Sequence, residues 1–205
     1  MRIGIIGGGN VGLALSLALR RAGHLPTLLL RDPTRDSGSG AAIAPLGPLP
    51  AAEAYILATP YAAAMEALTT CQPGDVPVLD ATNPLAMGPE GLGLALGFDD
   101  SGAERIARAL PTLRLAKVFN TTGANIMADP ARFTPAPVMF AAGDDPAAKA
   151  VALRLAGDIG FAAVDAGPLR AARLLEAHAM LWIDLAMRRG LGRDFAFSLQ
   201  KGEAS

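Results

Sequence analysis

Cysteine, lysine and histidine are all scarce in this chain of 205 residues, which has one cysteine, three lysines and two histidines. The single cysteine, Cys71, cannot form an internal disulfide, and this indicates a reducing compartment. The net charge is −1 and the basic residues are scattered, which argues against nucleic acid or an anionic membrane as the partner. We therefore expect the partner to be a small molecule.

Long apolar runs are also absent, since none reaches the roughly 20 residues that a membrane span needs. Glycines interrupt the apolar stretch that follows Arg2, and Arg20 and Arg21 stand where a signal peptide has a small-residue cleavage site. These absences predict a cytoplasmic protein. Hydrophobic residues make up 51% of the chain, which is enough for one sizeable core and argues against a second full domain.

Glycine, in contrast, is concentrated in a motif near the N-terminus. Residues 7–12 read Gly-Gly-Gly-Asn-Val-Gly between an apolar stretch over residues 1–6 and an apolar helical pattern. Gly7 would allow a tight turn, Gly9 would let the backbone approach a pyrophosphate, and Gly12 would let the helix pack close to the strand. The asparagine can cap the helix, whose N-terminus favours an anion. The motif predicts dinucleotide binding by Gly7, Gly9, Asn10, Val11 and Gly12.

Apolar runs and helical patterns alternate along the rest of the chain. The predicted strands cover residues 2–6, 27–30, 41–46, 55–59, 76–80, 115–119, 138–142 and 161–165. The predicted helices run from the glycine motif to residue 22 and over residues 61–69, 102–110, 146–158 and 169–189. This alternation predicts an α/β fold, namely a Rossmann-type doubly wound, mostly parallel sheet with a long C-terminal helix. We expect a nucleotide-binding domain over residues 1–166 and a C-terminal helical segment over residues 167–205.

The last predicted helix has more apolar side chains than one sheet face requires. They are Leu174, Leu175, Met180, Leu181, Ile183 and Leu185. This excess indicates either a dimer interface or one wall of a substrate cleft. Together with Phe195, Phe197 and Leu199 in the tail, the helix predicts a homodimer.

The end of the second predicted strand carries the residues that distinguish NADP from NAD. Arg31 lies 19 residues after Gly12 (31 − 12), and a guanidinium can bind a 2′-phosphate through two hydrogen bonds. Thr34 and Arg35 could complete this anion site. The alternative is that Asp32 accepts from the ribose of NAD, but Asp32 precedes a proline and suits a turn. The sequence therefore favours NADP(H).

Several segments resemble the NADP-dependent oxidoreductases related to coenzyme F420-dependent NADP reductase, whose fold also occurs in the cytosolic domain of the six-transmembrane metalloreductases. The matching segments are residues 7–12, 31–33, 58–60, 80–85, 117–121, 143–145, 165–169 and 173–176, which extend over nearly the whole chain. The segments around Asn120 and from Asp165 to Glu176 are more specific than the glycine motif, which many unrelated oxidoreductases share.

The resemblance implies a position for each part of the cofactor. Arg31 and nearby side chains would hold the 2′-phosphate, and the turn over residues 120–125 would lie beside the nicotinamide. The further cofactor residues that it implies are Thr59, Pro60, Asn120 and Ala124. Two departures affect the adenine end: residues 36–50 are shorter and richer in glycine and proline than in the family, and Leu30 stands where relatives often carry Thr or Ser.

Hydride transfer between a nicotinamide and a flavin-like ring needs stacked faces and exclusion of water more than it needs a nucleophile. The few histidines and lysines form no acid/base constellation in the sequence, so no catalytic residue is assigned. Related hydroxyacid dehydrogenases need a lysine on the helix after the nucleotide domain, and residues 169–189 contain none. Asn83 and Asn120 follow strand ends, where open α/β sheets bind ligands.

Other polar residues have structural interpretations. His178 lies among apolar residues and is interpreted as packed rather than as a proton donor. Arg173 and Glu176 are three residues apart on one helix and are expected to pair with each other. The acidic pairs at residues 99–100 and 144–145 are interpreted as a loop and a helix cap, so no metal site is predicted.

Together, these expectations predict an NADP-dependent oxidoreductase. It would transfer hydride between NADP(H) and a deazaflavin such as coenzyme F420, a flavin, or a small electron acceptor. One alternative is a reductase of small imines or carbonyls of the pyrroline-5-carboxylate reductase type. Another is a non-catalytic module that senses NADP.

Overall fold

The computed structural model describes residues 1–34 and 38–202. This part of the chain has ten strands: β1 (Arg2–Ile6), β2 (Leu25–Leu30), β3 (Ala42–Pro45), β4 (Ala54–Leu57), β5 (Val78–Asp80), β6 (Leu85–Gly88), β7 (Gly91–Leu94), β8 (Leu115–Lys117), β9 (Val138–Ala141) and β10 (Ala162–Asp165). It also has six α-helices: α1 (Asn10–Arg21), α2 (Ala64–Cys71), α3 (Gly102–Ala109), α4 (Ala124–Ala128), α5 (Pro146–Asp158) and α6 (Ala172–Met187). None of the helices in these ranges combines the length and apolarity needed to cross a bilayer.

Six of the strands form one parallel sheet in the order β3-β2-β1-β4-β5-β8. The chain moves outward from β1 to β3 and then returns to the other side of β1 at β4. The crevice between β1 and β4 is therefore the topological switch point, where open sheets of this type bind ligands. The structure confirms the predicted Rossmann-type doubly wound fold with a C-terminal helix.

The sheet has an apolar cluster on each face, because successive side chains of a strand point to opposite sides. Ile5 of β1 packs in one cluster with Leu15 of α1 and Leu155 of α5. Ile6, the next residue, packs in the other cluster with Leu68 of α2 and Ile106 of α3. Helices therefore cover both faces, and ligand access is left to the edge where the strands end.

Two smaller strand pairs lie beside the main sheet. β9 and β10 pair in parallel, and a single antiparallel bridge between Lys117 and Ala142 joins them to β8. β6 and β7 form an antiparallel hairpin that the sequence analysis did not predict. Each of its strands has four residues, and glycines at positions 88, 91 and 93 give little strand propensity.

The predicted elements are confirmed to within a few residues, and the helix starts differ most. The helix predicted from residue 61 begins as a 3₁₀ turn and becomes α2 at Ala64, and α6 is likewise preceded by a 3₁₀ turn over Leu169–Ala171. The expectation that Asn10 caps α1 is wrong. Gly9 occupies the N-cap position and Asn10 is the first helical residue.

The tail that follows α6 folds back on its own chain. Nε1 of Trp182 donates to the Phe195 carbonyl at 3.1 Å, and the two rings stack with centroids 5.3 Å apart. The backbone N–H of Val138 donates to the Phe197 carbonyl at 2.9 Å, which places the tail beside β9. The tail aromatics are therefore half-buried within the chain. The large apolar side chains that α6 leaves exposed are Leu174, Leu181 and Met187.

Candidate functional site

Most of the predicted binding residues lie at the edge where the parallel strands end. Gly7 follows β1, Arg31 follows β2, Thr59 follows β4, Asn83 follows β5 and Asn120 follows β8. They line two neighbouring pockets, which we call the loop pocket and the tail pocket. The two pockets meet at the start of α1, because the last glycine of the loop lines one and the first helical residue lines the other.

The loop pocket has a volume of about 390 Å³ and lies over the glycine motif. Its lining residues are Gly7, Gly8, Gly9, Leu29, Leu30, Arg31, Asp32, Leu46, Thr59, Pro60, Ala63 and Ala67. Five of the predicted cofactor residues are among them: Gly7, Gly9, Arg31, Thr59 and Pro60. The hydroxyl of Thr59 is buried at this pocket, and no hydrogen-bond partner for it is found in the described ranges.

The three predicted glycines have different constraints. Gly7 has φ +112°, and a Cβ there would lie 2.7 Å from the Ala58 carbonyl oxygen. A Cβ at Gly12 would collide with the carbonyl oxygen of Gly7, so Gly12 lies beneath the loop and lines neither pocket. A Cβ at Gly9 would meet no heavy atom of the described residues within 4 Å. Gly7 and Gly12 therefore build the loop, whereas Gly9 leaves space above it.

The N-terminus of α1 opens into that space. Gly9 has φ −78° and ψ −174°, and within the described residues no side chain caps the helix. The first N–H groups of a helix have no partner inside the helix, and the helix dipole makes this end attractive to an anion. The space above Gly9 and these N–H groups together suit a phosphate group.

Arg31 lies at the mouth of the loop pocket and already has one partner. Its Nη2 atom is 2.8 Å from Oε2 of Glu66, and both side chains are mostly exposed (64% and 68%). Thr34 lines neither pocket, and its backbone N–H and its hydroxyl both donate to Oδ1 of Asp32, at 3.0 and 2.6 Å. Asp32 therefore organises the turn, as its position before a proline suggested. Arg35 lies outside the described residues.

The tail pocket has a volume of about 610 Å³ and is bordered by α1, the turn after β8, α6 and the tail. It contains the other predicted residues: Asn10, Val11, Asn83, Asn120 and Ala124. Thr122 belongs to the turn expected beside the nicotinamide, and Ile183 is one of the apolar side chains expected at a dimer interface or at a wall of a substrate cleft. The lining residues that the sequence analysis did not assign to any site include Leu92, Trp182, Met187 and Arg193. These additions come mainly from β7, α6 and the tail, and no local motif marks them.

Two asparagines bridge the ends of β5 and β8. Nδ2 of Asn120 donates to Oδ1 of Asn83 at 3.0 Å, and Nδ2 of Asn83 donates to the Asn120 carbonyl at 2.9 Å. The Asn120 side chain is buried, yet its Oδ1 atom has no hydrogen-bond partner among the described residues, and the same holds for the Thr122 hydroxyl. An unpaired buried acceptor costs about 1–3 kcal/mol. The residues that carry these two oxygens both line the tail pocket.

Backbone strain is found at the same place. Phe119 is fully buried and has φ +62°, a conformation that non-glycine residues rarely adopt. Such a conformation costs about 1–3 kcal/mol and concentrates at ligand-binding positions. Phe119 directly precedes Asn120, so the strain is where the chain turns the asparagine toward the tail pocket.

A buried cluster of charges connects β5, β8 and α6. The sequence analysis missed it, because it found no constellation around a lysine. Nζ of Lys117 is 2.9 Å from Asp80, 2.9 Å from Glu176 and 2.5 Å from the Thr82 carbonyl. Burial alone would lower the pKa of Lys117, but the two carboxylates raise it. The cluster lines neither pocket, so it holds β5, β8 and α6 together. Lys117 and Asp80 are each the last residue of an apolar strand, and this position was the sequence signal that could have indicated a buried charge pair.

The expected pairing between Arg173 and Glu176 is wrong. Arg173 instead makes two hydrogen bonds to Glu104 of α3, at 2.7 and 2.8 Å. Glu176 accepts from the backbone N–H groups of Gly102 and Ala103, at 2.9 and 3.3 Å, which start α3. Both side chains therefore bind groups of α3, and this fixes α6 to α3.

His178 is packed, as the sequence suggested. Its ring makes edge contacts with Phe140 and Phe197, with centroids 5.7 and 4.8 Å away. Burial lowers the pKa of His178, which favours the neutral imidazole. The side chain lines neither pocket.

The acidic pairs also have structural roles. Asp100 pairs with Arg105 and Arg108, and these guanidinium groups lower its pKa to about 2. Asp145 caps α5 by accepting from the Ala148 N–H at 2.7 Å, as expected.

Comparison with known proteins supports the resemblance found in the sequence. No protein-family model matches the chain, and no curated protein matches it in sequence. Among solved structures, a candidate F420-dependent NADP reductase from Arthrobacter sp. FB24 has 29% identity and a TM-score of 0.86, over 98% of this chain and 100% of that one. A hypothetical protein from Sinorhizobium meliloti has 28% identity and a TM-score of 0.71, over 84% of this chain and 87% of that one.

More distant structures share the fold over part of their length. An imine reductase from Streptomyces aurantiacus has 18% identity and a TM-score of 0.63, and the match covers 90% of this chain but 61% of that protein. The resemblance to the F420-dependent NADP reductase group is confirmed at the level of structure. The fold is therefore one that reductases use.

Proposed function

We propose that this chain binds NADP(H) and is a reductase that passes hydride from NADPH to a flavin-type or other small electron acceptor. The observation that carries the proposal is the pair of pockets that meet at the uncapped N-terminus of α1. The loop pocket has a cation at its mouth, and the tail pocket is lined by Asn120 and Thr122, each of which has a buried oxygen without a partner among the described residues. The likeness to the Arthrobacter protein over its whole length supports the acceptor class.

The pyrophosphate is proposed to lie over the glycine loop. The space above Gly9 is free of side chains, and the uncapped helix start supplies N–H donors. Gly7 and Gly12 hold the loop in the required shape. The proposed binding residues here are Gly7, Gly9, Asn10, Val11 and Gly12.

The 2′-phosphate is proposed to bind Arg31. We propose that Thr34, in the turn that Asp32 organises, and Arg35 complete this anion site. The guanidinium of Arg31 is held by one exposed carboxylate, Glu66, and such a surface pair contributes about 0–1 kcal/mol. A doubly charged phosphate can therefore replace Glu66 as its partner.

The nicotinamide end is proposed to lie between Thr59 and Pro60 on one side and Asn120 on the other. The free Oδ1 atom of Asn120 can accept from a carboxamide N–H, which would satisfy a buried acceptor. Asn83 fixes the orientation of that side chain, and Ala124 leaves room at the start of α4.

The tail pocket is proposed to hold the acceptor. Bound NADPH supplies a hydride, and the acceptor takes it together with one proton from solvent, leaving NADP⁺ and the dihydro form of the acceptor. Trp182, Ile183 and Met187 form an apolar wall on one side of this space, against which a ring could pack. A ring acceptor that stacks needs no side-chain acid, in keeping with the packed position of His178.

We propose different roles for the two parts of the chain that meet at residue 166. Residues 1–166 would bind NADP(H), and residues 167–205 would form the outer wall of the tail pocket. The exposed apolar side chains of Leu174, Leu181 and Met187 support the expectation of a homodimer through α6. Sedimentation at micromolar concentration tests this part, and a monomer would contradict it.

Calorimetry with the variant Gly9→Val tests the placement of NADPH. The φ of −78° at Gly9 is accessible to valine, so the variant should fold, while its side chain would occupy the pyrophosphate space. We expect NADPH binding to become undetectable. The matched control is Gly157→Val in α5, whose Cβ also meets no heavy atom of the described residues within 4 Å. Full NADPH affinity in folded Gly9→Val would overturn the proposal.

A further inference from the structure

The tail pocket is lined by charge of one sign, which is positive. Of the described residues that line it, Arg193 is the only one with a charged side chain. The remaining polar lining groups are amides and a hydroxyl, from Asn10, Asn83, Asn120, Thr122 and Asn125. A space lined by one cation and no carboxylate has a positive potential, which favours an anionic ligand.

Arg193 is held at the pocket by its backbone and leaves its guanidinium available. Its carbonyl accepts from Nδ2 of Asn125 at 2.8 Å, which attaches the tail to the start of α4. Its Nη2 atom contacts Sδ of Met187 at 3.4 Å, and no carboxylate in residues 1–34 or 38–202 forms an ion pair with it. The neighbouring carboxylate, Asp194, pairs with Arg132 instead.

Other arginines at the end of α6 have different arrangements. Arg188 and Arg189 both pair with Asp184, at 3.3 and 3.0 Å. Neither of them lines the tail pocket. Arg193 is therefore distinguished from its neighbours both by its position and by its lack of an acidic partner within the described residues.

The phosphates of NADP(H) do not require Arg193 in the proposed arrangement. The pyrophosphate has the N-terminus of α1, and the 2′-phosphate has Arg31 at the mouth of the loop pocket. The group left to interact with Arg193 belongs to the other reactant. This step rests on the proposed function, because it assumes that the tail pocket holds the acceptor.

We propose that Arg193 is a specificity-determining residue that selects acceptors carrying an anionic side chain, of which a phosphate ester on a flavin-type ring is the chemical class that fits. The apolar wall would take the ring, and the guanidinium would form charge-assisted hydrogen bonds to the phosphate. Acceptors with the same ring and a neutral side chain bind more weakly.

FMN and riboflavin test this directly, because they share one ring and differ by a phosphate. Binding of each flavin to the NADP⁺-loaded protein is measured by fluorescence titration, and kcat and KM are measured with NADPH. We expect FMN to bind about tenfold more tightly than riboflavin, as one partly screened charge-assisted hydrogen bond would give. Arg193→Gln should remove that preference by raising the Kd and KM for FMN alone, and Arg193→Lys should keep most of it.

The control is Arg189→Gln, which removes the same charge at the end of α6 from a residue that does not line the pocket. It should leave the preference for FMN unchanged. The assignment would be overturned if the wild type bound both flavins equally or bound neither of them. It would also be overturned if Arg193→Gln lowered kcat equally with both flavins. Weaker NADPH binding in Arg193→Gln would also overturn it. Failure of the wild type to bind NADPH would instead contradict the proposed function itself.

Discussion

The loop pocket and the tail pocket lie side by side, but the sequence builds them differently. All residues that line the loop pocket fall between positions 7 and 67, and they lie at the ends of four adjacent strands, β3, β2, β1 and β4, or in the segments that follow them. The lining of the tail pocket extends from position 10 to position 193 and includes α6 and the tail. The first pocket is a product of local motifs, whereas the second exists only once distant elements have packed. A single sequence therefore predicts the first far better than the second.

The two pockets also differ in what holds them in place. The loop pocket depends on backbone geometry, above all on the positive φ of Gly7 and the close approach of Gly12 to it. The tail pocket depends on the buried charges around Lys117 and on the contacts of Arg173 and Glu176 with α3. Changes to these two sets of contacts should therefore have separable effects.

The largest expected effect comes from Lys117→Met. This change leaves Asp80 and Glu176 as buried carboxylates without their cation, and breaking such a cluster costs about 3–5 kcal/mol. Urea unfolding at neutral pH measures the loss. Lys149→Met is the control, because Lys149 pairs with Asp165, a half-exposed carboxylate, and should cost at most about 1 kcal/mol. Equal costs for the two variants would show that the buried cluster is not the anchor of α6.

The pH dependence of the free energy of unfolding, compared between the wild type and Lys117→Met, is a second test of the buried cluster. The pKa of Lys117 is raised in the folded wild type, so its stabilising effect is complete below the ordinary value of 10.5 and is lost as the pH rises through the higher folded value. Titration of Lys117 should therefore cause no loss of stability between about pH 6 and 9. Because Lys117→Met lacks this group, the difference in free energy of unfolding between the wild type and the variant should shrink only as the pH rises above 10.5, which urea unfolding at a series of pH values measures.

The second effect is on nucleotide choice and concerns the loop pocket alone. If Arg31 binds the 2′-phosphate, Arg31→Ala should weaken NADPH binding by roughly 10- to 150-fold, the equivalent of about 1.5–3 kcal/mol for a charge-assisted hydrogen bond. NADH affinity should change little, and added salt should reduce the preference for NADPH in the wild type. Calorimetry with both nucleotides measures this. Equal affinities in the wild type, with weaker NADH binding in Asp32→Ala, would instead assign Asp32 to the ribose of NAD.

The sequence predicted those parts of the molecule that follow from periodicity and local turn chemistry. The alternation of strand and helix patterns predicted the parallel sheet, and the glycine motif over residues 7–12 predicted the loop. The hairpin of β6 and β7 was missed because four-residue strands rich in glycine have no distinctive pattern. The pairing of Arg173 with Glu176 was wrong because spacing on one helix does not reveal that α3 offers both side chains better partners. Arg193 could not be found, since only the folded tail brings it to a pocket.

A smaller effect is expected from Asn125→Ala, which removes the hydrogen bond to the Arg193 carbonyl. An exposed bond of this kind contributes about 0.5–1.5 kcal/mol, so amide exchange in residues 190–199 should become about two- to tenfold faster. NADPH affinity should stay within about twofold, because none of the proposed contacts of the nucleotide is with the Asn125 side chain or with the tail. Ser198→Ala, which removes a longer bond of 3.3 Å to Pro135, is the control and should change exchange less. A large loss of NADPH affinity in Asn125→Ala would show that the pockets are not separable.

The smallest effect is expected from Glu66→Gln, and it is a gain. Glu66 is the partner of Arg31 in the structure, at 2.8 Å, and would compete with the phosphate that we propose to bind there. Removing its charge should strengthen NADPH binding by about two- to fivefold, since an exposed pair contributes at most about 1 kcal/mol, and should leave NADH binding unchanged. Glu53→Gln makes the same change in net charge at the opposite edge of the sheet, where Glu53 accepts from the Arg2 backbone N–H. If Glu53→Gln strengthens NADPH binding as much as Glu66→Gln, the gain reflects net charge and not release of Arg31, and the carboxylate beside Arg31 has no special part in nucleotide choice.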